Sequence, residues 1–353
     1  MKILVLSFSL SSGGAERFAV DLCNSLSRKH DVVFLTTDDD TVANNNYYRK
    51  ELCNSVKYIN LKARSGHSVS ALLGIMRVIR KERPDIVHAH TDLVQLVLPC
   101  IFHRGVKYVH TIHSVAEYYL RSKLEKPLFR RMYVHRVIPV TISPVCSASY
   151  RNLYGLRNDF MILNGRSRPE LSGSVESVKE QMLQFKGGKP LFVHIARFAS
   201  PKNQQVLFEA VKLAGDVRLV VIGRDYPADL QNAQDPGIVR FEGERMNVGD
   251  YLQFADFFIL SSSFEGLPLS LLEAMSYGVV PVSTPAGGVC DVIRDGENGF
   301  LAQGFTAEDI ALAMQRAVST RIDRQAIIAE YERKYSIEAC AARYQDLFET
   351  IAR

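Results

Sequence analysis

The chain has 353 residues, 47% apolar and 23% charged, the balance of a globular protein rather than a disordered or fibrous one. That length suits two domains of ordinary size, each with its own core. Net charge is +5, but residues 1–165 hold 23 Lys and Arg against 13 Asp and Glu, whereas residues 166–353 hold 20 against 25. The basic half points to an anionic partner such as a membrane surface. No recognition motif or long basic run supports nucleic acid. Six scattered Cys (23, 53, 100, 146, 290, 340), with no Cys-x-x-Cys, read as buried thiols of a reducing compartment. No apolar run approaches the ~20 residues of a bilayer span, and residues 1–10 read as a first core strand rather than a signal peptide. A cytoplasmic protein is expected.

Strand-like runs recur at 3–8, 32–36, 57–61, 85–89, 107–111 and 137–142, with helical patterns between most of them, as at 15–28 and 70–81. Such alternation predicts a parallel α/β sheet. The first strand leads into Ser-Ser-Gly-Gly-Ala-Glu-Arg, which is not the G-x-G-x-x-G of a dinucleotide site. Gly13 and Gly14 would let a ligand approach the backbone at a helix N-terminus. Asp38, Asp39 and Asp40 contain an Asp-x-Asp but open a polar loop, so they read as solvated. His88, His90, His110 and His113 follow strands at spacings that could suggest zinc, yet no thiolate lies near to complete about four ligands. No metal is predicted. Residues 121–136 carry six Lys and Arg and one Glu, interleaved with Leu124, Leu128, Phe129, Met132 and Tyr133. The stretch is either a membrane-facing amphipathic helix or an ordinary helix with a solvated basic face.

Residues 166–188 are rich in Ser, Gly, Lys and Glu and read as a linker. A second α/β series follows. Arg197 and Lys202 leave one strand-to-helix loop together, the natural pair for a diphosphate. Residues 218–223 form the next strand. Residues 257–260 then open into a Ser-rich loop carrying Glu265. Pro268 suits the first turn of a helix and Gly278 its exit, and a buried strand follows at 279–282. Glu265 and Glu273 are separated by seven residues. The free amides at that helix start favour phosphate, whereas acceptor-only carboxylates suit sugar hydroxyls. The pattern reads as a clamp for a nucleotide sugar.

Glu-Gly-Leu-Pro-Leu-Ser-Leu-Leu-Glu-Ala-Met (265–275) resembles the E-x7-E signature of the retaining glycosyltransferases of family four, and the resemblance extends over most of the chain. It implies the GT-B fold: two Rossmann-like α/β domains facing across a cleft. The boundaries would be 1–165 for the acceptor domain, 166–188 for the linker, 189–334 for the nucleotide-sugar domain and 335–353 for a helix returning to the first domain. It also implies a catalytic set of Glu265, His113, Arg197 and Lys202. In that set Arg197 and Lys202, with the amides of Gly266 and Leu267, meet the diphosphate. Glu265 would hold the donor sugar, Glu273 the ribose, and Arg245 and Met246 the base. Gly13 and Gly14 would touch donor phosphate or acceptor, and His113 the transferred sugar, with electrostatic support for its cationic transition state. The family carries Gly where this chain has Asn203, and often Glu near Asp291.

The expected reaction moves a hexose from a nucleotide diphosphate sugar, UDP- before GDP-, to a lipid-linked or glycan acceptor in cell-surface polysaccharide synthesis. It would need no cofactor or metal, proceed by front-face substitution, and involve peripheral membrane contact through the first domain. Two rival readings stand beside it: a nucleotide-sugar epimerase of the same fold, and a non-catalytic nucleotide-sugar-binding subunit.

Overall fold

The apolar runs of the first half form strands because both faces of a parallel sheet are covered, which demands unbroken apolar sequence. The computed structural model describes residues 1–120 and 122–352. They fall into two units, Met1–Gly165 with Ile337–Arg353, and Arg166–Ser336.

The first unit is built on β1 (Lys2–Ser7), β2 (Asp31–Asp38), β3 (Lys57–Ala63), β4 (Ile86–Ala89), β5 (Lys107–Ile112), β6 (Val137–Thr141) and β7 (Phe160–Met161). All pairings are parallel, in the order β3-β2-β1-β4-β5-β6-β7. Its helices are α1 (Gly14–Leu26), α2 (Val69–Glu82), α3 (Val94–Phe102), α4 (Glu125–His135) and α5 (Pro144–Tyr154). Local chemistry sets their ends. Ser68 and Ser143 cap α2 and α5 through their hydroxyls, Pro144 opens α5, and Gly155 at φ +65° ends it.

The second unit continues with α6 (Val175–Lys186), β8 (Leu191–Ile195), α7 (Gln204–Ala214), β9 (Arg218–Ile222), α8 (Ala228–Asn232) and β10 (Val239–Gly243). Then come α9 (Val248–Leu252), β11 (Phe257–Leu260), α10 (Leu269–Ser276), β12 (Val280–Ser283), β13 (Phe300–Leu301), α11 (Ala307–Ser319) and α12 (Arg324–Lys334). The sheet order is β10-β9-β8-β11-β12-β13, again parallel. Finally α13 (Ile337–Ala352) rejoins the first unit and packs on α1, burying Tyr344 and Phe348.

Residues 166–188 are not a free linker. They contain α6, which buries Val178 and Met182 and packs on α9. Ser172 also donates its amide to Asp250 at 2.8 Å. Pro268 is the residue before α10 rather than in its first turn, with extended ψ of 124°. Gly278 at φ +66° closes α10. Its amide meets Met275 O at 2.9 Å, and that of Val279 meets Ala274 O at 3.0 Å, the paired bonds of a left-handed helix stop. Of the six thiols, Cys290 is exposed, against the expectation that all are buried.

Strand order reverses between β1 and β4 in the first sheet, and between β8 and β11 in the second. Ligands of doubly wound sheets bind at the carboxyl ends of the strands where the order reverses.

Candidate active site

In the second unit, the loop after β8 carries Arg197 and Lys202, and the loop after β11 carries Glu265. Both leave the carboxyl ends of the two strands that flank the reversal. Lys202 Nζ donates to Glu265 Oε1 at 2.6 Å, and Ser262 Oγ donates to the same oxygen at 2.6 Å. The loops are tied directly. Ser261 Oγ donates to Lys202 O at 2.8 Å, and the Ser263 amide to Pro201 O at 2.8 Å.

Asn203, where the resembled family has Gly, adopts φ +53°. Asn is among the few side-chain-bearing residues that visit this region readily, so the turn into α7 is kept. Gln204 Nε2 donates to Arg197 O at 2.8 Å, and Tyr226 OH to Ala196 O at 3.0 Å. The Arg197 backbone is therefore held while its side chain stays exposed.

Glu265 itself is 7% exposed. Its carbonyl accepts from the Gly288 amide at 3.0 Å. Gly287, at φ +55°, lies so close that a Cβ there would meet Glu265 O well under 3.0 Å. Among the described residues, the amides of Gly266 and Leu267 meet no backbone carbonyl. They remain donors beside the start of α10, where the helix dipole also favours an anion.

Glu273 is not a solvated helix-surface residue. It is buried, and its Oε1 accepts from Arg166 Nε at 2.6 Å. Arg166 opens the second unit and was not foreseen. Because the ion pair occupies Oε1, a ribose hydroxyl would have to share the carboxylate with Arg166. Arg245 is exposed and pairs with Glu242 at 3.2 Å, and Met246 is also exposed in the turn after β10. Beneath the Lys202 loop, His194 is fully buried and its Nδ1 donates to Ile259 O at 2.8 Å. Burial, joined by the nearby Lys202 charge, pushes its pKa down to about 4.

In the first unit, Gly13 precedes α1 and no side chain caps that helix. The Glu16 carboxylate folds back over Gly13, where a Cβ would collide with it. A carboxylate at that helix start opposes a donor phosphate there, which leaves the acceptor as the partner expected for Gly13 and Gly14. Desolvation raises the Glu16 pKa.

His113 Nε2 lies 2.8 Å from His90 Nδ1, and its amide donates to Tyr119 OH at 2.8 Å. Burial, then the neighbouring His110, lowers the His113 pKa to about 3. An uncharged imidazole accepts or donates a hydrogen bond without adding positive charge beside a cationic sugar. The expected electrostatic support is thus limited to the absence of repulsion. His88 and His110 are fully buried and bonded, to Thr111 Oγ1 at 2.7 Å and to Tyr133 OH at 2.7 Å.

The Asp38–Asp40 run is spoken for locally. Asp39 accepts from the Thr41 amide and hydroxyl, and Asp40 from Tyr58 OH. Of the basic stretch 121–136, Arg121 lies outside the described residues. Phe129, Met132 and Tyr133 turn to the core, whereas Leu124 and Leu128 are exposed beside Lys123, Lys126 and Arg131. Arg130 and Arg136 donate inward, to Tyr154 O and Cys100 O.

Two family models match the chain: "Glycosyltransferase Family 4" over residues 12–164 and "Glycosyl transferases group 1" over residues 176–335. The chain belongs to the family-four glycosyltransferases of GT-B type. The lipopolysaccharide core biosynthesis glycosyltransferase LpsE of Rhizobium meliloti is 24% identical, over 90% of this chain and 89% of that one. The UDP-Gal:alpha-D-GlcNAc-diphosphoundecaprenol alpha-1,3-galactosyltransferase of Escherichia coli is 22% identical, over 78% and 75%. Among solved structures, Anabaena HepE in complex with UDP-glucose superposes with a TM-score of 0.79 at 18% identity, covering 99% of this chain and 100% of that one. This transferase therefore has its Lys202–Glu265 pair at the strand reversal of its second Rossmann-like unit.

Proposed function

We propose that this glycosyltransferase moves a hexose from a UDP-sugar, with retention of configuration, to a lipid-linked or glycan acceptor in cell-surface polysaccharide synthesis. The observation that carries the reading is the Lys202–Glu265 pair, with Arg197 on the same loop as Lys202, at the carboxyl ends of β8 and β11. The relatives that act on lipopolysaccharide core and on a diphosphoundecaprenol sugar support the acceptor class, and HepE with UDP-glucose supports the donor.

In this reading the anomeric carbon–oxygen bond breaks toward an oxocarbenium-like centre, and charge accumulates on the leaving diphosphate. Arg197, Lys202 and the amides of Gly266 and Leu267 stabilise that charge, with no part assigned to a metal. Lys202 turns from Glu265 to the diphosphate, which frees Glu265 Oε1 for the donor sugar's hydroxyls. Glu273 shares its carboxylate between Arg166 and the ribose, and Arg245 and Met246 flank the base. His113 meets the transferred sugar, and Gly13 and Gly14 serve the acceptor. The front face of the sugar takes the acceptor hydroxyl, whose proton passes to a phosphate oxygen of the leaving group. The exposed basic face of α4 rests on the membrane that holds a lipid-linked acceptor.

The test is transfer from UDP-sugars to membrane glycolipid in the presence of a chelator, with product configuration read by NMR. Transfer with retention, lost in Glu265→Ala while the protein stays folded, is expected. An inverted product or an undiminished rate in Glu265→Ala would overturn the reading. Isomerised donor formed without acceptor would favour the epimerase instead.

A further inference from the structure

The contact between His90 and His113 has a direction that the surrounding bonds decide. Either ring could donate across the 2.8 Å between His90 Nδ1 and His113 Nε2. The other nitrogen of His90, Nε2, is buried and has no hydrogen-bond partner among the described residues. A buried N–H left without an acceptor is rarer in folded proteins than an unused lone pair. The proton of His90 therefore belongs on Nδ1. It is donated to His113 Nε2, which must then be the lone-pair nitrogen.

The same reasoning applies one ring further back. The His88 ring lies tilted against that of His90, centroids 4.2 Å apart, and its Nδ1 is buried and without a hydrogen-bond partner among the described residues while its Nε2 meets Thr111 Oγ1 at 2.7 Å. His88 then donates from Nε2 to Thr111, whose hydroxyl lies 2.9 Å from Tyr344 OH on α13. The ring of Phe18 holds the pair from the side, with centroids 5.7 Å from His90 and 5.6 Å from His113. The Tyr119 hydroxyl fixes the His113 backbone. Both rings are thus confined in orientation, and burial keeps both uncharged.

We infer that His90 is a positioning residue: by donating from Nδ1 to His113 Nε2 it fixes His113 as the tautomer protonated on Nδ1, which makes His113 a hydrogen-bond donor to an oxygen of the transferred sugar. This rests on the reading that His113 meets that sugar, but the tautomer itself can be measured without turnover. The consequence for specificity is chemical. A neutral imidazole N–H selects a sugar that presents a hydroxyl oxygen at that point and disfavours its deoxy analogue.

The experiment uses the full chain labelled with 15N-histidine and long-range 1H–15N correlation, the His113 signals being assigned by their loss in His113→Gln. The wild type should show His113 protonated on Nδ1 and bare on Nε2. His90→Asp replaces the donor with an acceptor, so His113 should take up a proton on Nε2 and kcat should fall about tenfold, the worth of one neutral hydrogen bond, with the donor KM little changed. His90→Asn places an amide donor near the former Nδ1 and should restore both tautomer and rate. A wild-type His113 protonated on Nε2 would overturn the inference. So would a His90→Asp variant whose His113 keeps a bare Nε2, whatever its rate. A normal rate in His113→Gln with the expected tautomer would instead remove the sugar contact while leaving the His90 bond standing.

Discussion

Gly287 gives the most quantitative perturbation of the second-unit site. It sits at φ +55°, and a Cβ would run into the Glu265 carbonyl well under 3.0 Å. In Gly287→Ala the left-handed backbone alone costs about 1–2 kcal/mol. Retreat of the Glu265 peptide also breaks the 3.0 Å bond from the Gly288 amide, about 0.5–1.5 kcal/mol more. The sum, roughly 1.5–3.5 kcal/mol, should lower the melting temperature of a unit this size by roughly 3–14 °C. A shift of about 1 Å at Glu265 should cost about 100-fold in kcat/KM. Gly296→Ala is the control, because Gly296 has φ +79° with nothing within 4 Å of its would-be Cβ. It should lose only about 1–2 kcal/mol and keep its rate. Calorimetry with transfer kinetics at 25 °C, well below either transition, separates the two. Equal melting temperatures and equal rates in the two variants would refute the argument.

Acid should attack the first unit before the second. Burial lowers the pKa values of His88, His90, His110 and His113 there, His110 to about 4 and His113 to about 3, whereas the second unit has only His194. Between about pH 6.5 and 4 the unfolded chain binds protons that the folded unit does not. Stability is therefore whole above pH 6.5 and falls with pH, by up to about 5 kcal/mol per pH unit for four such groups, against about 1.4 kcal/mol for the one in the second unit. Hydrogen exchange at pH 5 should show the first unit opening preferentially, and uniform opening would contradict this. Asn203→Gly should leave transfer unchanged, whereas Asn203→Ala, forced to φ +53°, should lose about 1–2 kcal/mol in calorimetry. The double variant Lys126→Glu with Arg131→Glu on α4 should weaken sedimentation with anionic vesicles roughly 30-fold, at about 1 kcal/mol per basic residue removed. Unaltered sedimentation would release α4 from the membrane.

The strands were legible because parallel sheets write themselves as unbroken apolar runs, as in Ile3–Leu6 and Val32–Leu35, where every residue is buried. The loop chemistry of Lys202 and Glu265 was legible for the same reason. It hangs on strand ends that the pattern locates. The helix α6 was misread as linker because its Ser- and Lys-rich surroundings masked a two-residue apolar face, Val178 and Met182. Partners distant in the chain were not legible at all. Arg166 and Glu273 lie 107 residues apart, and nothing local to either announces the other. Ser262, three residues before Glu265, was within reach, since a short hydroxyl at that spacing can turn back on the carboxylate. The folding of Glu16 over Gly13 illustrates the opposite case, a glycine whose local purpose is to admit a neighbour's side chain.

The central claim is that Arg197 and Lys202 grip a diphosphate, and titration calorimetry with UDP and with uridine tests it most directly. Arg197→Ala with Lys202→Ala should weaken UDP binding by at least about 100-fold, at about 1.5 kcal/mol or more for each charge-assisted contact, and leave uridine binding as it was. UDP bound equally well by the double variant and the wild type would contradict the account.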